Sequence, residues 1–288
     1  MTVSSVASLE AIEKAVETLR KLRPAYESHL AFYKEIFLAQ EKSALKTTIE
    51  PFEFPEDILS RKVQDELPLI GISEFKINQK AADDLFFRLC RVALQSNEMM
   101  VESAEKILKA LEKGKIVSSL LFENLLAGDD GYFKITAQDI KAEKEVLAFL
   151  VYNSIKPSLV MCSRQLSIYL NSKSKQGKGY CPVCGSIPGL STLEGEGERF
   201  LHCAFCWCKW HIKRIFCPFC ENDNPKKQQY FYSREEEEYR VDTCDQCKKY
   251  IKTIDTRKMD RDLYPPLEQI ATLHLDIKAK EMGLESPI

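Results

Sequence analysis

Tyr180-Cys-Pro-Val-Cys-Gly-Ser-Ile-Pro188 opens a run of four Cys-x-x-Cys pairs: Cys181/Cys184, Cys203/Cys206, Cys217/Cys220 and Cys244/Cys247. A two-residue gap lets one tight turn aim two thiolates at the same tetrahedral ion, about 2.3 Å from each sulfur. Taken in order, the pairs give C-x2-C-x18-C-x2-C and then C-x2-C-x23-C-x2-C, the spacing of metal-bound ribbons. Two turns read Cys-Pro-x-Cys, and Gly185 follows the first, where a left-handed residue lets backbone amides turn toward sulfur. Each ribbon spans too few residues for a hydrophobic core of its own, so bound metal supplies much of its folding free energy, on the order of 10 kcal/mol per site.

These spacings predict two rubredoxin-like or zinc-ribbon subdomains, with all eight cysteines as metal ligands. Pairing in sequence order competes with an interleaved cross-brace. Four thiolates suit Zn(II) or a mononuclear iron; the spacings match neither ferredoxin run. Such sites are closed and structural unless the metal turns over. Thiol–disulfide exchange would need a strand before the pair and a helix after it within a βαβ unit, and no pair has that setting. Cys208, Cys90 and Cys162 read as small buried residues. His202 and His211 flank the second pair as alternative ligands, and His29 and His274 have no partner motif.

Upstream the pattern changes. Residues 1–170 carry helical periods and predict an all-α domain. Tyr26, Leu30, Tyr33 and Phe37 share one face of a helix over 24–42, opened by Pro24. Asn78 caps a helix through Ala81, Leu85, Leu89 and Val92, and Ser103 caps another that ends near Gly114. Helices are also expected over 117–126 and 136–153. Pro157 then disfavours an α conformation at Lys156, which predicts a turn before a last helix toward Leu170. Residues 171–179, Asn-Ser-Lys-Ser-Lys-Gln-Gly-Lys-Gly, have linker composition. The remaining divisions are 180–215 and 216–265 for the two ribbons and 266–288 for a short C-terminal helix and tail. Turns are expected at Ile187-Pro188-Gly189 and over 221–225, and strands at 229–232 and 239–241.

With 288 residues, 44% hydrophobic and 29% charged, the chain has a globular composition. A net charge of −2 gives no basic footprint for nucleic acid. Locally, Trp210, His211, Lys213, Arg214 and Phe216 mix rings and cations that can stack on a strand, or simply pack on the knuckle. The acidic run Glu235–Glu238 suits a solvated hairpin edge. Residues 1–9 have no signal-peptide pattern, so a cytoplasmic location is expected. Asn153, Lys156 and Pro157 interrupt the apolar stretch 146–160 short of a membrane span, so no membrane insertion is expected. No catalytic triad, nucleotide loop or paired carboxylate stands out, which predicts a non-enzyme.

Tyr180–Pro188, Leu201-His-Cys-Ala-Phe-Cys206, Trp210, Arg214, Cys217-Pro-Phe-Cys220 and Cys244-Asp-Gln-Cys-Lys-Lys-Tyr-Ile-Lys-Thr253 together resemble the formate dehydrogenase accessory protein family, FdhE. Ala271-Thr-Leu-His-Leu-Asp276 is similar to its closing helix. The resemblance implies a cytoplasmic, non-catalytic maturation factor that binds the formate dehydrogenase catalytic subunit, with all eight paired cysteines holding iron or zinc. It leaves room for a homodimer. Glu268-Gln269 stands where the family pattern suggests two acidic residues, which bears on client recognition. A zinc-ribbon nucleic-acid binder and a rubredoxin-like iron redox protein are the alternatives.

Overall fold

The computed structural model describes residues 9–170, 178–233 and 236–286. Most of the expected linker, the start of the chain and Glu235 lie outside them. The chain forms two compact units, one of residues 2–51 and 71–162, the other of 52–70 and 163–288.

The first unit is helical. α1 (Leu9–Leu22) buries Ile12, Ala15, Val16 and Leu19, a helical stripe. A 3₁₀ turn at Pro24–Tyr26 leads into α2 (Glu27–Ala44), close to the expected helix. α4 (Gln79–Ala93) is capped by Asn78, whose side chain accepts from the Ala81 amide at 3.0 Å. α5 (Glu98–Glu112) begins a full turn before Ser103, because Asn97 caps it through the Met100 amide. Ser103 is instead buried in mid-helix, and its hydroxyl accepts from the Glu143 amide. α6 (Ser118–Ala127) is as expected. The helix expected over 136–153 is two helices, α7 (Asp130–Ile140) and α8 (Lys144–Ser167), because Lys141 takes φ 59° and ends α7.

Pro157 does not interrupt α8. Proline removes one amide and displaces the carbonyl four residues earlier, here that of Asn153. Gln40 of α2 satisfies it: Nε2 donates to the Asn153 carbonyl at 2.9 Å and to its side-chain oxygen at 3.0 Å. α8 is long and apolar enough to cross a membrane by length and composition alone, but 67% of its apolar window is buried inside the fold.

The second unit is built on one six-stranded sheet in the order β3-β2-β1-β6-β5-β4. The strands are β1 (Pro188–Glu194), β2 (Glu198–Cys203), β3 (Lys209–Ile212), β4 (Gln228–Tyr232), β5 (Tyr239–Cys244) and β6 (Tyr250–Asp255). Three antiparallel strands form each ribbon, and the ribbons join where β1 pairs in parallel with β6. Pro188-Gly189, expected in a turn, begins β1 through an irregular register in which Pro188 stands opposite Cys203 and Gly189 is skipped. One face of the sheet packs Leu190, Tyr239, Val241, Tyr250 and Ile254 against Leu275 and Ala279.

Those last residues belong to two short helices, α9 (Pro265–Ala271) and α10 (Leu273–Glu281), where one was expected. Thr272 leaves helical geometry between them, and its hydroxyl takes the Glu268 carbonyl at 2.7 Å. Glu268 is fully buried, accepting from the Tyr239 hydroxyl and from both ends of the Arg261 fork. It holds α9 to the sheet and has no exposed surface.

α3 (Glu56–Gln64) and the chain that follows it belong to the sheet unit, although they lie within the 1–170 segment. The Leu69 and Ile70 amides donate to the Pro182 and Val183 carbonyls at 3.0 and 2.9 Å. This strap is tied further by Lys62 Nζ on the Leu69 carbonyl and by the Tyr180 hydroxyl on the Glu66 carbonyl.

Candidate metal centres

Each Cys-x-x-Cys pair folds into the same knuckle. The amides of Cys181, Cys203, Cys217 and Cys244 donate to the carbonyls of Ser186, Cys208, Asn222 and Lys249, five residues on in every case. The residue after each second cysteine is left-handed: Gly185 (φ 74°), Trp207 (59°), Glu221 (58°) and Lys248 (60°). Only the first is a glycine, so the other three carry a conformational cost of about 1 kcal/mol or more. In return the chain curls around sulfur. The Phe205 and Cys206 amides donate to Cys203 Sγ at 3.3 and 3.4 Å.

The knuckles meet in sequence order and are not interleaved. Cys181, Cys184, Cys203 and Cys206 form one group, and Cys217, Cys220, Cys244 and Cys247 the other, with the sulfurs of each within 4.8 Å of one another. Nearest separations are 3.6 Å (Cys184–Cys203), 3.7 Å (Cys181–Cys206), 3.6 Å (Cys217–Cys247) and 3.7 Å (Cys220–Cys244). A tetrahedron with metal–sulfur bonds of about 2.3 Å has edges of about 3.8 Å. The donor sets therefore fit a four-thiolate Zn(II) or mononuclear iron, and each group can hold a metal ion.

Electrostatics agree. Burial pushes the Cys181 and Cys206 thiols well up, while hydrogen bonds from Cys181, Cys203 and Cys206 pull Cys184 well down. A bound dication would take the place of the thiol protons. In the second group burial raises Cys217. Burial also opposes ionisation of Cys244, but the Cys247 and Gln246 amides and neighbouring thiols outweigh it, and the net shift is downward.

The two sites differ in exposure. Cys181, Cys203 and Cys206 are 0% exposed and Cys184 5%, whereas Cys220 and Cys247 are only partly buried. The strap lies on the first knuckle, with the Pro68 ring 3.1 Å from where a side chain on Gly185 would begin. A groove of about 280 Å³ is shared by both centres, lined by Tyr180 and Ile187, which flank the first knuckle, and by Pro218, Phe219, Glu221 and Lys249 beside the second centre. At its edge Gly179 approaches Pro218 so closely that any side chain would overlap the Pro218 carbonyl.

Other residues singled out in the sequence have packing roles. Cys208 occupies the fifth position of its knuckle, where Ser186, Asn222 and Lys249 stand in the others, and is not in a ligand group. Cys90 and Cys162 are fully buried in the helical unit, their thiols pushed up to about 12 and 11 by burial. His202 is buried against Thr192, and His211 lies edge-on to Phe200. Trp210 and Phe216 are buried, so neither ring is free to stack on a base. Arg214 bonds the Gly197 carbonyl, and Tyr250 donates to Asp276. In the acidic run, Glu236 and Glu237 pair with His274 and Lys258.

Arg199 carries no sequence signal, yet it ties the ribbons together. Buried on β2, it donates to Ser191 Oγ (3.1 Å), to the Phe216 carbonyl (2.8 Å) just before Cys217, and lies 3.4 Å from Asp242 of β5.

Residues 180–214 match the family model described as the FdhE central domain, and 215–287 the FdhE C-terminal domain. The chain belongs to the FdhE family. The junction of the two models lies between the ribbons. An FdhE homologue of Aquifex aeolicus is 31% identical over 69% of this chain, although the match spans only 65% of that relative. One from Proteus mirabilis is 27% identical over 93% of this chain and 82% of its own length. The crystal structure of the FdhE protein from Pseudomonas aeruginosa superposes with a TM-score of 0.66 at 19% identity, covering 97% of this chain and 94% of that one. At that identity it speaks for the shared fold.

Proposed function

We propose that this protein is an accessory factor in the maturation of a formate dehydrogenase, binding its catalytic subunit in the cytoplasm before the enzyme is complete. The observation that carries this is the match of the FdhE central and C-terminal models, in order, onto the two ribbons. The protein is not itself an enzyme: four protein thiols at each centre leave no open coordination position for substrate. Bound metal would lock the knuckles and present the ribbon surface in one shape. Cys181, Cys184, Cys203 and Cys206 would hold one ion, and Cys217, Cys220, Cys244 and Cys247 the other.

Affinity purification of the tagged chain from cells making a formate dehydrogenase tests the proposal. Catalytic subunit should co-purify, and deletion should leave that enzyme inactive. Full activity after deletion, with no complex recovered, would overturn it. The sulfur geometry accepts Zn(II) and iron alike, so a rubredoxin-like redox reading stands beside the first. Anaerobic purification with metal analysis and visible absorption decides between them, since a colourless zinc protein has no electron to carry.

A further inference from the structure

We infer that the second centre, Cys217, Cys220, Cys244 and Cys247, is an exchangeable metal site, while the first stays loaded. The inference rests on the reading that the eight thiols hold metal. Three independent features separate the sites. Access is the first. All four sulfurs of the first centre belong to cysteines no more than 5% exposed, whereas Cys220 and Cys247, one from each knuckle of the second, are partly exposed. Solvent, and a chelating group with it, meets ligands of the second centre that have no exposed counterpart in the first.

Restraint is the second. Carbonyls of Pro182 and Val183 are held by the strap amides of Leu69 and Ile70, so the first knuckle cannot open unless two buried hydrogen bonds break. In the second centre a single outside amide, that of Glu285, holds a knuckle carbonyl, that of Lys248. Gly179 lies against Pro218, but among the described residues no backbone amide from another segment bonds a carbonyl within 217–221. Strain is the third. Both turns of the second centre place a non-glycine residue, Glu221 and Lys248, in the left-handed region, against one of two in the first. That strain relaxes when the ion leaves.

Loss of the second ion also need not unfold its ribbon. Tyr239, Val241, Tyr250 and Ile254 remain packed against Leu275 and Ala279, and β6 remains paired with β1. The event is a local opening of two knuckles. Ligand exchange passes the dication to the incoming donor atoms, and the freed thiolates take protons from water. A site of this kind can give up or accept a thiophilic divalent ion while the molecule keeps its shape.

The test uses the full chain loaded with two equivalents of zinc and a chromogenic chelator, 4-(2-pyridylazo)resorcinol. One equivalent should leave at least about tenfold faster than the other. An iodoacetamide pulse after the fast phase should label Cys217, Cys220, Cys244 and Cys247 and spare Cys181, Cys184, Cys203 and Cys206. The double variant Lys62→Met/Tyr180→Phe removes two ties of the strap while keeping its apolar packing. It should speed the slow phase severalfold and leave the fast phase unchanged. Release of both ions at one rate, labelling of the first centre in the fast phase, or a slow phase indifferent to the strap variant overturns the inference. A chain that takes up no metal overturns the underlying reading as well.

Discussion

Gln40 shows how one side chain carries a helix past a proline. With the Gln40 amide removed, the Asn153 carbonyl is left buried and unpaired, since Pro157 has no N–H to offer. Gln40→Leu should lower the stability of the helical unit by about 1–3 kcal/mol, measured by urea unfolding followed by circular dichroism. Three turns from the N-terminus of α8, Lys156 is buried, and burial lowers its ammonium to about 8, against the partial pull of Glu41. The unfolded chain then binds the proton more tightly than the folded one, so the destabilisation is full below pH 8 and vanishes as pH rises past 10.5. The stability difference between Lys156→Met and wild type should therefore shrink from pH 8 to 10, by a few kcal/mol at most. At the knuckles, Lys248→Gly removes left-handed strain and should raise the melting temperature of the metal-loaded chain, by roughly 1 kcal/mol in stability. The eight cysteines were legible because their chemistry is written in residue type and spacing. The left-handed residues were not, since Trp, Glu and Lys advertise no such conformation; only their common place, one after each second cysteine, hints at it.

Among elements, Asn78 and Pro24 marked real helix starts because caps act locally. Ser103 misled for the same reason: Asn97, nearly two turns earlier, is an equally good cap, and burial of Ser103 against the Glu143 amide decided between them. Pro157 was read by the local rule, and a partner from α2, distant in sequence, overrode it. Each ribbon could be expected from its cysteine spacing, but the parallel pairing of β1 with β6 could not, because no spacing encodes which edges meet. Arg199 stabilises that junction. Arg199→Met should leave the Phe216 carbonyl unpaired and strip one partner from Asp242, which keeps Arg240 and Thr253. Hydrogen exchange at Phe216 and Cys217 should accelerate, while the amides of α2 and α4 stay as they were.

At the scale of the molecule, the division into a helical unit and a sheet unit that carries both four-cysteine groups makes metal removal selective. Stripping both ions with excess chelator under reducing conditions should abolish the tertiary signal of Trp207 and Trp210, the two tryptophans of the chain, and leave most of the helical far-ultraviolet signal. A parallel loss of both would contradict it. The sequence suggests one cut, near the 171–179 segment, because composition changes there. What it does not reveal is that residues 52–70 are woven into the sheet unit, since hydrogen bonds from Leu69 and Ile70 to a knuckle far downstream leave no periodic trace. The strap also has a direction in time. During synthesis it leaves the ribosome long before Cys181 exists, and must wait, with its two donor amides unfilled, until the first ribbon emerges. A fragment begun at residue 178 would carry every cysteine of both centres and still lack the clamp on one, so its first site should release metal faster than it does in the intact chain. The intact chain gains that clamp only once translation has passed the knuckle.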